Sequence, residues 1–230
     1  MNSPSQPLAL KPHVNVILLP HACPDQKAES ETSLRLRHFR LESLRLAPEA
    51  FASSYERENQ FAEDVWRQRL EDPRAQHIVA VLGTARDYDM DSGRASEPWK
   101  GMIVVLHRSS TADVEPATSP WETASSQTSM ISAASYHLNG FFVHPSARRV
   151  GLGQRLVQAA LRHTRGAAAL EGLPSAKVTV IVDPSNQAAL AVYEKCGFVT
   201  VKESPYQVGE GPPRTARTMI QEIAVQEERT

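Results

Sequence analysis

The spacing of apolar positions along the chain predicts short strands interleaved with amphipathic helices. Runs rich in β-branched residues predict seven strands, at His13–Leu19, His77–Leu82, Gly101–His107, Tyr136–Val143, Lys177–Val182, Phe198–Lys202 and Thr218–Val225. Apolar residues at helical spacing predict four helices, at Ser33–Leu46, Ala62–Leu70, Gly153–Ala169 and Gln187–Cys196. Gly197 follows the last helix, where a glycine in the left-handed conformation commonly ends a helix.

The order of these elements predicts the fold class. One strand, two helices and three consecutive strands precede a helix, a strand, a helix and two final strands. Consecutive strands usually pair antiparallel, whereas a strand–helix–strand unit pairs parallel. We therefore expect an α/β (α+β) fold with a mixed central sheet of about seven strands flanked by helices.

The domain organisation follows from length and local composition. Residues 13–230 are expected to form a single domain, since a chain of this length can bury one full core. Residues 1–12 hold three prolines and little apolar pattern, which predicts a flexible N-terminal tail. Two polar insertions are expected, at about 84–99 and 109–134. The second holds eleven Ser or Thr among its 26 residues, which is typical of a long loop.

Charge and cysteine content narrow the function classes. The formal net charge is −1, so no global field draws the chain to nucleic acid or to an anionic membrane, and we expect neither as a partner. Cys23 and Cys196 are too few and too far apart for a disulfide scaffold or a zinc site, so no metal is expected. The apolar run Val14–Leu19 is far shorter than a membrane span of about 20 residues, and no signal-peptide pattern accompanies it. The expected location is the cytoplasm, including a nucleocytoplasmic distribution.

A glycine-rich hexapeptide lies between a predicted strand and a predicted helix. It reads Arg148-Arg149-Val150-Gly151-Leu152-Gly153. Glycines there let successive N–H groups point into one concavity, to which the helix N-terminus adds unpaired N–H groups and a positive dipole end. The arginines supply counter-charge for a phosphate or pyrophosphate. An ordinary tight turn with a solvated arginine pair accounts for the hexapeptide equally well.

Two other phosphate-binding motifs are excluded. A P-loop requires Lys and then Ser or Thr after its last glycine, but Gln154-Arg155 stands there. A dinucleotide-binding fingerprint requires Gly or Ala three residues after its second glycine, and that position is Leu156.

Two sequence blocks resemble the GNAT superfamily of acetyl-CoA-dependent N-acetyltransferases. Phe142–Gly153 is similar to the family's acetyl-CoA-binding segment, with its signature Gln/Arg-x-x-Gly-x-Gly/Ala. Asp183–Phe198 is similar to the pattern Asn-x-x-Ala-x-x-x-Tyr-x-x-x-Gly-Phe. The likeness covers about Leu138–Val199, and a weaker one covers Leu34–Leu70. The two blocks together are specific, whereas either alone is not.

The resemblance implies a fold, a co-substrate and a binding site. It implies a mostly antiparallel sheet whose fourth and fifth strands splay apart, with acetyl-CoA as co-substrate in the gap. The backbone groups of Phe141 and Val143 would then bond to it as a neighbouring strand would, and the Phe141 N–H would polarise the thioester carbonyl. The cofactor-binding residues implied by the resemblance are Phe141, Phe142, Val143, Arg148, Arg149, Val150, Gly151, Leu152, Gly153, Gln154 and Asn186.

The resemblance also implies the catalytic residues. Tyr193 matches the family's general acid, which protonates the departing thiolate; the alternative is core packing with its hydroxyl bonded to backbone. Some members carry a glutamate base eleven residues before the position of Arg148, and here that residue is His137. Strand alternation predicts that His137, Asn139 and Phe141 face the same way. A solvated strand histidine is the alternative to a catalytic one.

The activity implied is direct transfer of acetyl from acetyl-CoA to a primary amine in a ternary complex. The alternative is an acetyl-CoA-binding module of the same fold with little or no turnover. The expected partner is a small-molecule amine or a peptide amine, and the expected assembly a monomer or homodimer. No motif of the sequence indicates which amine is the acceptor.

Overall fold

A computed structural model of the protein describes residues 13–23, 25–83, 88–89, 94–95, 98–108, 134–206 and 214–225. Its main sheet has seven strands: β1 (Val14–Leu18), β2 (Ala75–Leu82), β3 (Trp99–Arg108), β4 (Ala134–Val143), β5 (Ser175–Val182), β6 (Val199–Tyr206) and β7 (Arg214–Ala224). The α-helices are α1 (Gln26–Leu46), α2 (Tyr55–Glu58), α3 (Glu63–Glu71), α4 (Leu152–Leu170) and α5 (Gln187–Lys195). Two short strands, Tyr88–Asp89 and Arg94–Ala95, pair with each other outside this sheet.

The sheet is mixed, as the sequence predicts. Its strand order is β1-β2-β3-β4-β5-β7-β6. Every neighbouring pair is antiparallel except β4 and β5, which are parallel. Helix α4 connects these two strands, because parallel neighbours need a crossover long enough to return the chain to the same edge. The predicted mostly antiparallel α/β architecture is confirmed.

Helix α1 begins at Gln26, seven residues before its predicted start at Ser33. Asp25 caps the helix, because its carboxylate accepts the Ala28 N–H at 2.7 Å; a cap of this kind contributes about 1 kcal/mol. Ala28 is the buried residue among the first seven of the helix. These turns therefore carry too little apolar periodicity to predict a helix.

Other boundaries also differ from the sequence prediction. Helix α2 was not predicted, because four residues are too few to show a helical period. Strands β6 and β7 extend toward each other as far as the pair Tyr206↔Arg214, beyond the predicted end at Lys202 and before the predicted start at Thr218. This extension uses polar residues with no strand pattern, and only the pairing partner makes them a strand.

The predicted tail at 1–12 and most of both predicted insertions lie outside the described residues. At their borders, β3 begins at Trp99 and β4 at Ala134, which were predicted as the last residues of the insertions. No described helix is long and apolar enough to cross a membrane. The described residues also contain no group of three or more His, Cys, Asp or Glu that could hold a metal ion.

Two apolar layers cover the two faces of the sheet. Helices α4 and α5 cover one face, where Leu156 and Val157 of α4 are fully buried. Helices α1 and α3 cover the other, where Phe39 packs edge-on against Phe142 at 5.7 Å between ring centroids. Gly101 of β3 allows α4 to approach closely, since an added Cβ would lie 2.5 Å from a Leu152 methyl carbon. The sheet thereby fixes where the N-terminus of α4 lies.

Candidate active site

A bulge in β4 opens the centre of the sheet. Asn139 pairs with Val104 and Phe142 pairs with Met102, so two residues of β4 oppose one of β3. The first of the two is Gly140, whose φ of 59° lies in the left-handed region, the geometry of a bulge that begins with glycine. Pairing of β4 with β5 stops at Leu138↔Val180, although β5 continues to Val182. The splay between the fourth and fifth strands is confirmed, and the bulge that bends β4 accounts for it physically.

The bulge also changes which side chains share a face. Paired residues lie on the same face of a sheet, so Phe142 shares a face with Asn139 and His137, toward α1 and α3. Phe141 lies on the opposite face, where its ring centroid is 5.5 Å from that of Tyr193. The prediction that His137, Asn139 and Phe141 face the same way is therefore wrong. The extra residue of the bulge reverses the alternation after Asn139.

The backbone of β4 beyond the bulge presents polar groups to the gap. The His144 N–H donates to the Lys100 carbonyl of β3 at 2.9 Å. Because backbone groups alternate sides along a strand, those of Val143 and Phe141 are directed toward β5, which no longer pairs there. The Val143 carbonyl accepts a hydrogen bond from Arg148 Nε at 3.1 Å. The backbone groups of Phe142 are directed toward β3, and its side chain is buried against α1. Phe142, which was predicted to bind the cofactor, therefore does not face the gap.

Two residues of the glycine loop adopt left-handed conformations where the loop leads into α4. Gly151 precedes α4 with a φ of 81°, and Arg149 has a φ of 64°. The first intrahelical bond of α4 runs from the Arg155 N–H to the Gly151 carbonyl at 3.1 Å, so the N–H groups of the first turn point out of the helix end. Left-handed residues beside a helix N-terminus make an anion-binding nest. The predicted phosphate-binding residues Arg148–Gln154 lie in this loop and in the first turn of α4.

The side chains of the loop divide between solvent and core. Those of Arg148, Arg149 and Val150 are exposed, whereas that of Leu152 is buried beneath α4. Gly153 brings the start of α4 close to β4, since an added Cβ would lie 3.1 Å from Phe141 Cζ. The loop, β4 and Phe141 therefore meet at one place.

Tyr193 lies at the same place, on α5. Its side chain is 2% exposed, and its ring packs between those of Phe141 and Phe198, at 5.5 and 5.4 Å between centroids. Burial raises the pKa of the Tyr193 hydroxyl, with a smaller contribution from Cys196. Within the described part of the chain, no hydrogen bond is found that holds this hydroxyl to backbone, which was the alternative reading of this residue.

Asn186 sits one residue before α5 begins. Its side-chain oxygen accepts the Ala189 N–H at 3.1 Å, so Asn186 is the N-cap of the helix that carries Tyr193. Gly197 ends that helix with a φ of 88°, as predicted. The side chain of Cys196 is half-buried and lies 4.0 Å from the Gln154 carbonyl of α4. This contact joins the two helices that border the gap.

His137 lies on the other face, one pair before β4 and β5 separate. It pairs with Thr179 of β5, and its Nδ1 is 2.9 Å from Thr179 Oγ1. Burial lowers the pKa of His137 to about 4, with a smaller contribution from the charge of Arg108. Its imidazole is therefore neutral at pH 7. These contacts distinguish His137 from a solvated strand histidine.

Comparison with known proteins finds one family that resembles this part of the chain. Residues 119–198 match the family model of the acetyltransferase (GNAT) family. The protein therefore contains a segment, about a third of its length, that matches the GNAT acetyltransferase family. Over 58 residues, 25% of this chain, it is 45% identical to the mycothiol acetyltransferase of Streptomyces coelicolor. That match spans only 17% of the relative's length, as does a 47% identical match to the mycothiol acetyltransferase of Streptomyces scabiei.

Solved structures show the same GNAT fold over almost the whole chain. The ribosomal-protein-S5-alanine acetyltransferase of Vibrio fischeri superposes with a TM-score of 0.58 at 13% identity, covering 91% of this chain and 92% of the other. NAA60 of Arabidopsis thaliana in complex with acetyl-CoA superposes with a TM-score of 0.55 at 12% identity, covering 92% and 99%. At these identities the likeness establishes the fold alone.

An ion triad centred on a buried glutamate was not predicted from the sequence. Glu58 of α2 is 2% exposed and lies 2.7 Å from Arg40 of α1 and 2.9 Å from Arg69 of α3. Burial alone would raise the pKa of Glu58, but hydrogen bonds and charges from Arg40 and Arg69 lower it to about 2. The triad holds together the three helices on the His137 side of the sheet. No pattern distinguishes these charges from solvated ones along a helix, because the partners are 18 and 11 residues apart.

A second unpredicted contact joins the start of β7 to the end of β5 and to the segment after α1. Arg214, the first residue of β7, lies 2.5 Å from a carboxylate oxygen of Asp183, which follows β5. The same guanidinium donates to the Glu49 carbonyl, after α1, at 3.0 Å. Because Glu49 and Arg214 are 165 residues apart, only the folded chain brings them together.

Proposed function

We propose that this protein is an N-acetyltransferase that moves the acetyl group of acetyl-CoA to a primary amine by direct attack in a ternary complex. The observation that carries the proposal is the meeting of three features at one gap. The unpaired backbone of β4, the nest at the start of α4 and the buried Tyr193 all border the space where β4 and β5 separate.

The gap has the chemistry that acetyl-CoA requires. The nest and the exposed side chains of Arg148 and Arg149 suit the pyrophosphate, since oriented N–H groups and guanidinium ions are strong phosphate donors. The Phe141 backbone and the Val143 N–H suit the amide groups of the pantetheine arm. The Val143 carbonyl is used by Arg148, which orients that guanidinium beside the nest. The bound thioester supplies an activated acyl group, and the Phe141 N–H stabilises charge on its carbonyl oxygen.

We propose that Tyr193 donates a proton to the leaving thiolate. Its raised pKa keeps the hydroxyl protonated at neutral pH, so it can donate to the sulfur as the thioester bond breaks. A thiol has a pKa of about 8.5 in water, and proton transfer from a weaker acid to its thiolate is unfavourable there. Apolar surroundings raise the pKa of a thiol as they do that of a phenol. Tyr193 therefore first stabilises the thiolate by a hydrogen bond and then supplies its proton.

We propose that His137 accepts the proton of the attacking amine. Because its pKa is about 4, the imidazole is neutral at pH 7 and able to accept a proton, although a base of low pKa is a weak one. Nitrogen bound to the attacked carbon is far more acidic than a free ammonium group. His137 therefore takes the proton as the C–N bond forms, directly or through one water molecule. It lies on the sheet face of α1 and α3, from which we propose that the amine approaches.

Related structures support an amine acceptor without selecting one. Spermidine N-acetyltransferase of Vibrio cholerae, in complex with CoA and spermine, superposes with a TM-score of 0.50 at 14% identity. We propose a small-molecule or peptide amine as the acceptor. We further propose a cytoplasmic monomer or homodimer that needs neither nucleic acid nor a membrane for its activity.

The test combines a binding measurement with a turnover measurement. Calorimetric titration with acetyl-CoA tests the site, and release of CoA thiol is followed over a panel of polyamines, amino acids and peptides with different N-termini. We expect binding and the acetylation of at least one amine class. Binding without CoA release across the panel would indicate an acetyl-CoA-binding module. Absence of binding would overturn both readings.

A further inference from the structure

The hydroxyl of Thr179 lies between two polar groups of β4. Its oxygen is 3.1 Å from the Tyr136 carbonyl oxygen, to which it donates, and 2.9 Å from Nδ1 of His137. Thr179 is directly paired with His137 across the parallel strands, so both side chains rise from the same face of the sheet. A threonine in a strand also has few allowed side-chain rotamers, which fixes the position of the oxygen.

Counting protons assigns the direction of both hydrogen bonds. A threonine hydroxyl has one proton to donate and two lone pairs. When that proton goes to the Tyr136 carbonyl, which can only accept, the contact with His137 requires Nδ1–H as the donor. If the hydroxyl instead donated to Nδ1, its lone pairs would face the Tyr136 carbonyl oxygen at 3.1 Å without a proton between them. Only the first arrangement satisfies both contacts.

We propose that Thr179 is a positioning residue that holds the neutral imidazole of His137 in the Nδ1–H tautomer and so places the proton-accepting lone pair on Nε2. The proposal rests on the proposed function insofar as His137 is the base. In water, neutral histidine favours the opposite tautomer, with the proton on Nε2. Thr179 therefore imposes a state that the side chain would not adopt by itself.

The surroundings of His137 leave only one of its two ring nitrogens available to the amine, so the tautomer decides whether that nitrogen can accept a proton. A neutral imidazole accepts a proton through only one of its two nitrogens. Thr179 occupies Nδ1 from the β5 side, so Nε2 is the nitrogen left for the amine. The cation that influences this ring, Arg108 of β3, opposes its protonation, and the His137↔Thr179 pair lies one step before the strands separate. A ring with the opposite tautomer would keep its lone pair against the Thr179 hydroxyl.

Nitrogen NMR of the 230-residue chain measures the tautomer without any assay of activity. In protein labelled with 15N-histidine, protonated and unprotonated ring nitrogens have well-separated chemical shifts. The His137→Gln variant assigns the signals by their disappearance. At pH 7 we expect His137 to show a protonated Nδ1 and an unprotonated Nε2. We expect Thr179→Val to shift the population to protonated Nε2, and Thr179→Ser to preserve the wild-type pattern.

Steady-state kinetics test the consequence for transfer. We expect Thr179→Val to lower kcat about tenfold or more while the KM for acetyl-CoA stays within about twofold. Thr179→Ser should restore most of kcat, which a loss of packing alone would not allow. Thr164→Val is the matched control, because it removes another buried threonine hydroxyl, bonded within α4 to the Ala160 carbonyl. We expect this control to leave both the His137 tautomer and kcat unchanged.

The outcomes separate this inference from the proposed function. A protonated Nε2 in the wild type, or an unchanged tautomer in Thr179→Val, overturns the role of Thr179 while leaving acetyl transfer intact. An altered tautomer with unchanged kcat confirms that Thr179 sets the tautomer and overturns the assignment of His137 as the base in the proposed function. A wild-type chain that acetylates no amine overturns the proposed function, and the NMR result then still decides whether Thr179 sets the tautomer.

Discussion

The rings of Phe141 and Tyr193 lie 5.5 Å apart on the α4–α5 face of the sheet, whereas Phe142, the next residue of β4, is buried on the opposite face. The bulge at Gly140 produces this arrangement. The proposed acid Tyr193 and the proposed base His137 lie on opposite faces of the sheet, close to the point where β4 and β5 separate. In the proposed mechanism, Tyr193 therefore acts on the leaving thiolate from one side of the gap, and His137 acts on the attacking amine from the other side.

Removing the Tyr193 hydroxyl should impair transfer without impairing binding. We expect Tyr193→Phe to lower kcat by about 10²-fold or more, the range of general acid catalysis, while the calorimetric affinity for acetyl-CoA stays unchanged. Tyr55→Phe is the control, since that hydroxyl lies on α2 and accepts a hydrogen bond from Arg45. Equal losses in the two variants, or a retained kcat in Tyr193→Phe, would remove Tyr193 from the mechanism.

Gly140 should be required for its backbone conformation. An added Cβ would lie 3.4 Å from Val104 Cγ2, an ordinary contact, so the cost of Gly140→Ala comes from its positive φ. We expect a loss of about 1–2 kcal/mol in the free energy of unfolding, measured in urea, and weaker acetyl-CoA binding as the bulge relaxes. Gly166→Ala is the control in α4, where no heavy atom lies within 4 Å, and should gain about 0.5–1 kcal/mol.

Arg149 should be unfavourable for stability and favourable for binding. Its φ of 64° suits glycine, so we expect Arg149→Gly to raise the free energy of unfolding by about 1 kcal/mol. The same variant should weaken acetyl-CoA binding about 3- to 10-fold by removing one charge-assisted contact. Arg149→Asn removes the charge but tolerates the left-handed region, so it should show the same loss of affinity. An unchanged affinity in both variants would place the pyrophosphate elsewhere.

The Glu58 carboxylate should contribute strongly to stability. Glu58→Gln leaves the largely buried Arg40 guanidinium and the partly exposed Arg69 guanidinium without their counter-ion, and breaking a buried pair such as Arg40–Glu58 costs about 3 kcal/mol or more. The pKa of Glu58 is about 2 in the folded chain. Its carboxylate therefore contributes fully to the free energy of unfolding above the pKa that it has in the unfolded chain, and this contribution is lost as the pH falls toward 2. Glu71→Gln breaks an exposed pair with Arg67 and should change stability by less than about 1 kcal/mol. Urea unfolding at pH 7 and pH 3 compares them.

His77 should make stability depend on pH below neutrality. Burial lowers its pKa from 6.5 to about 4, and its Nε2 lies 2.9 Å from the Arg69 carbonyl, to which it donates. As the pH falls, His77 is protonated in the unfolded chain before it is protonated in the folded chain. The free energy of unfolding is therefore highest above about pH 6.5 and falls by up to about 3 kcal/mol as the pH approaches 4. His77→Gln should flatten that part of the urea-midpoint profile. A wild-type slope retained in the variant would assign the dependence to other groups, such as His137.

The sequence by itself determined the architecture and the chemistry of the loop. Period-two runs such as Lys177–Val182 and the glycine after α5 identify elements because apolar burial and positive φ leave local signatures. The site residues from Val143 to Gly153 and from Asn186 to Tyr193 were expected because two sequence blocks resemble the GNAT superfamily. These features depend on neighbours a few positions away, which a linear pattern contains.

The tertiary structure alone decided which of these residues meet, and on which side. Gly140 is an ordinary strand glycine in the sequence, and only its pairing with β3 makes it a bulge that moves Phe141 and Phe142 to the opposite faces. The contact of His137 with Thr179 joins residues 42 positions apart, and strand register is set by whole-sheet packing. Local pattern predicted the glycine loop and the resemblance predicted Tyr193, whereas the environment of His137 depends on long-range pairing that no local pattern contains.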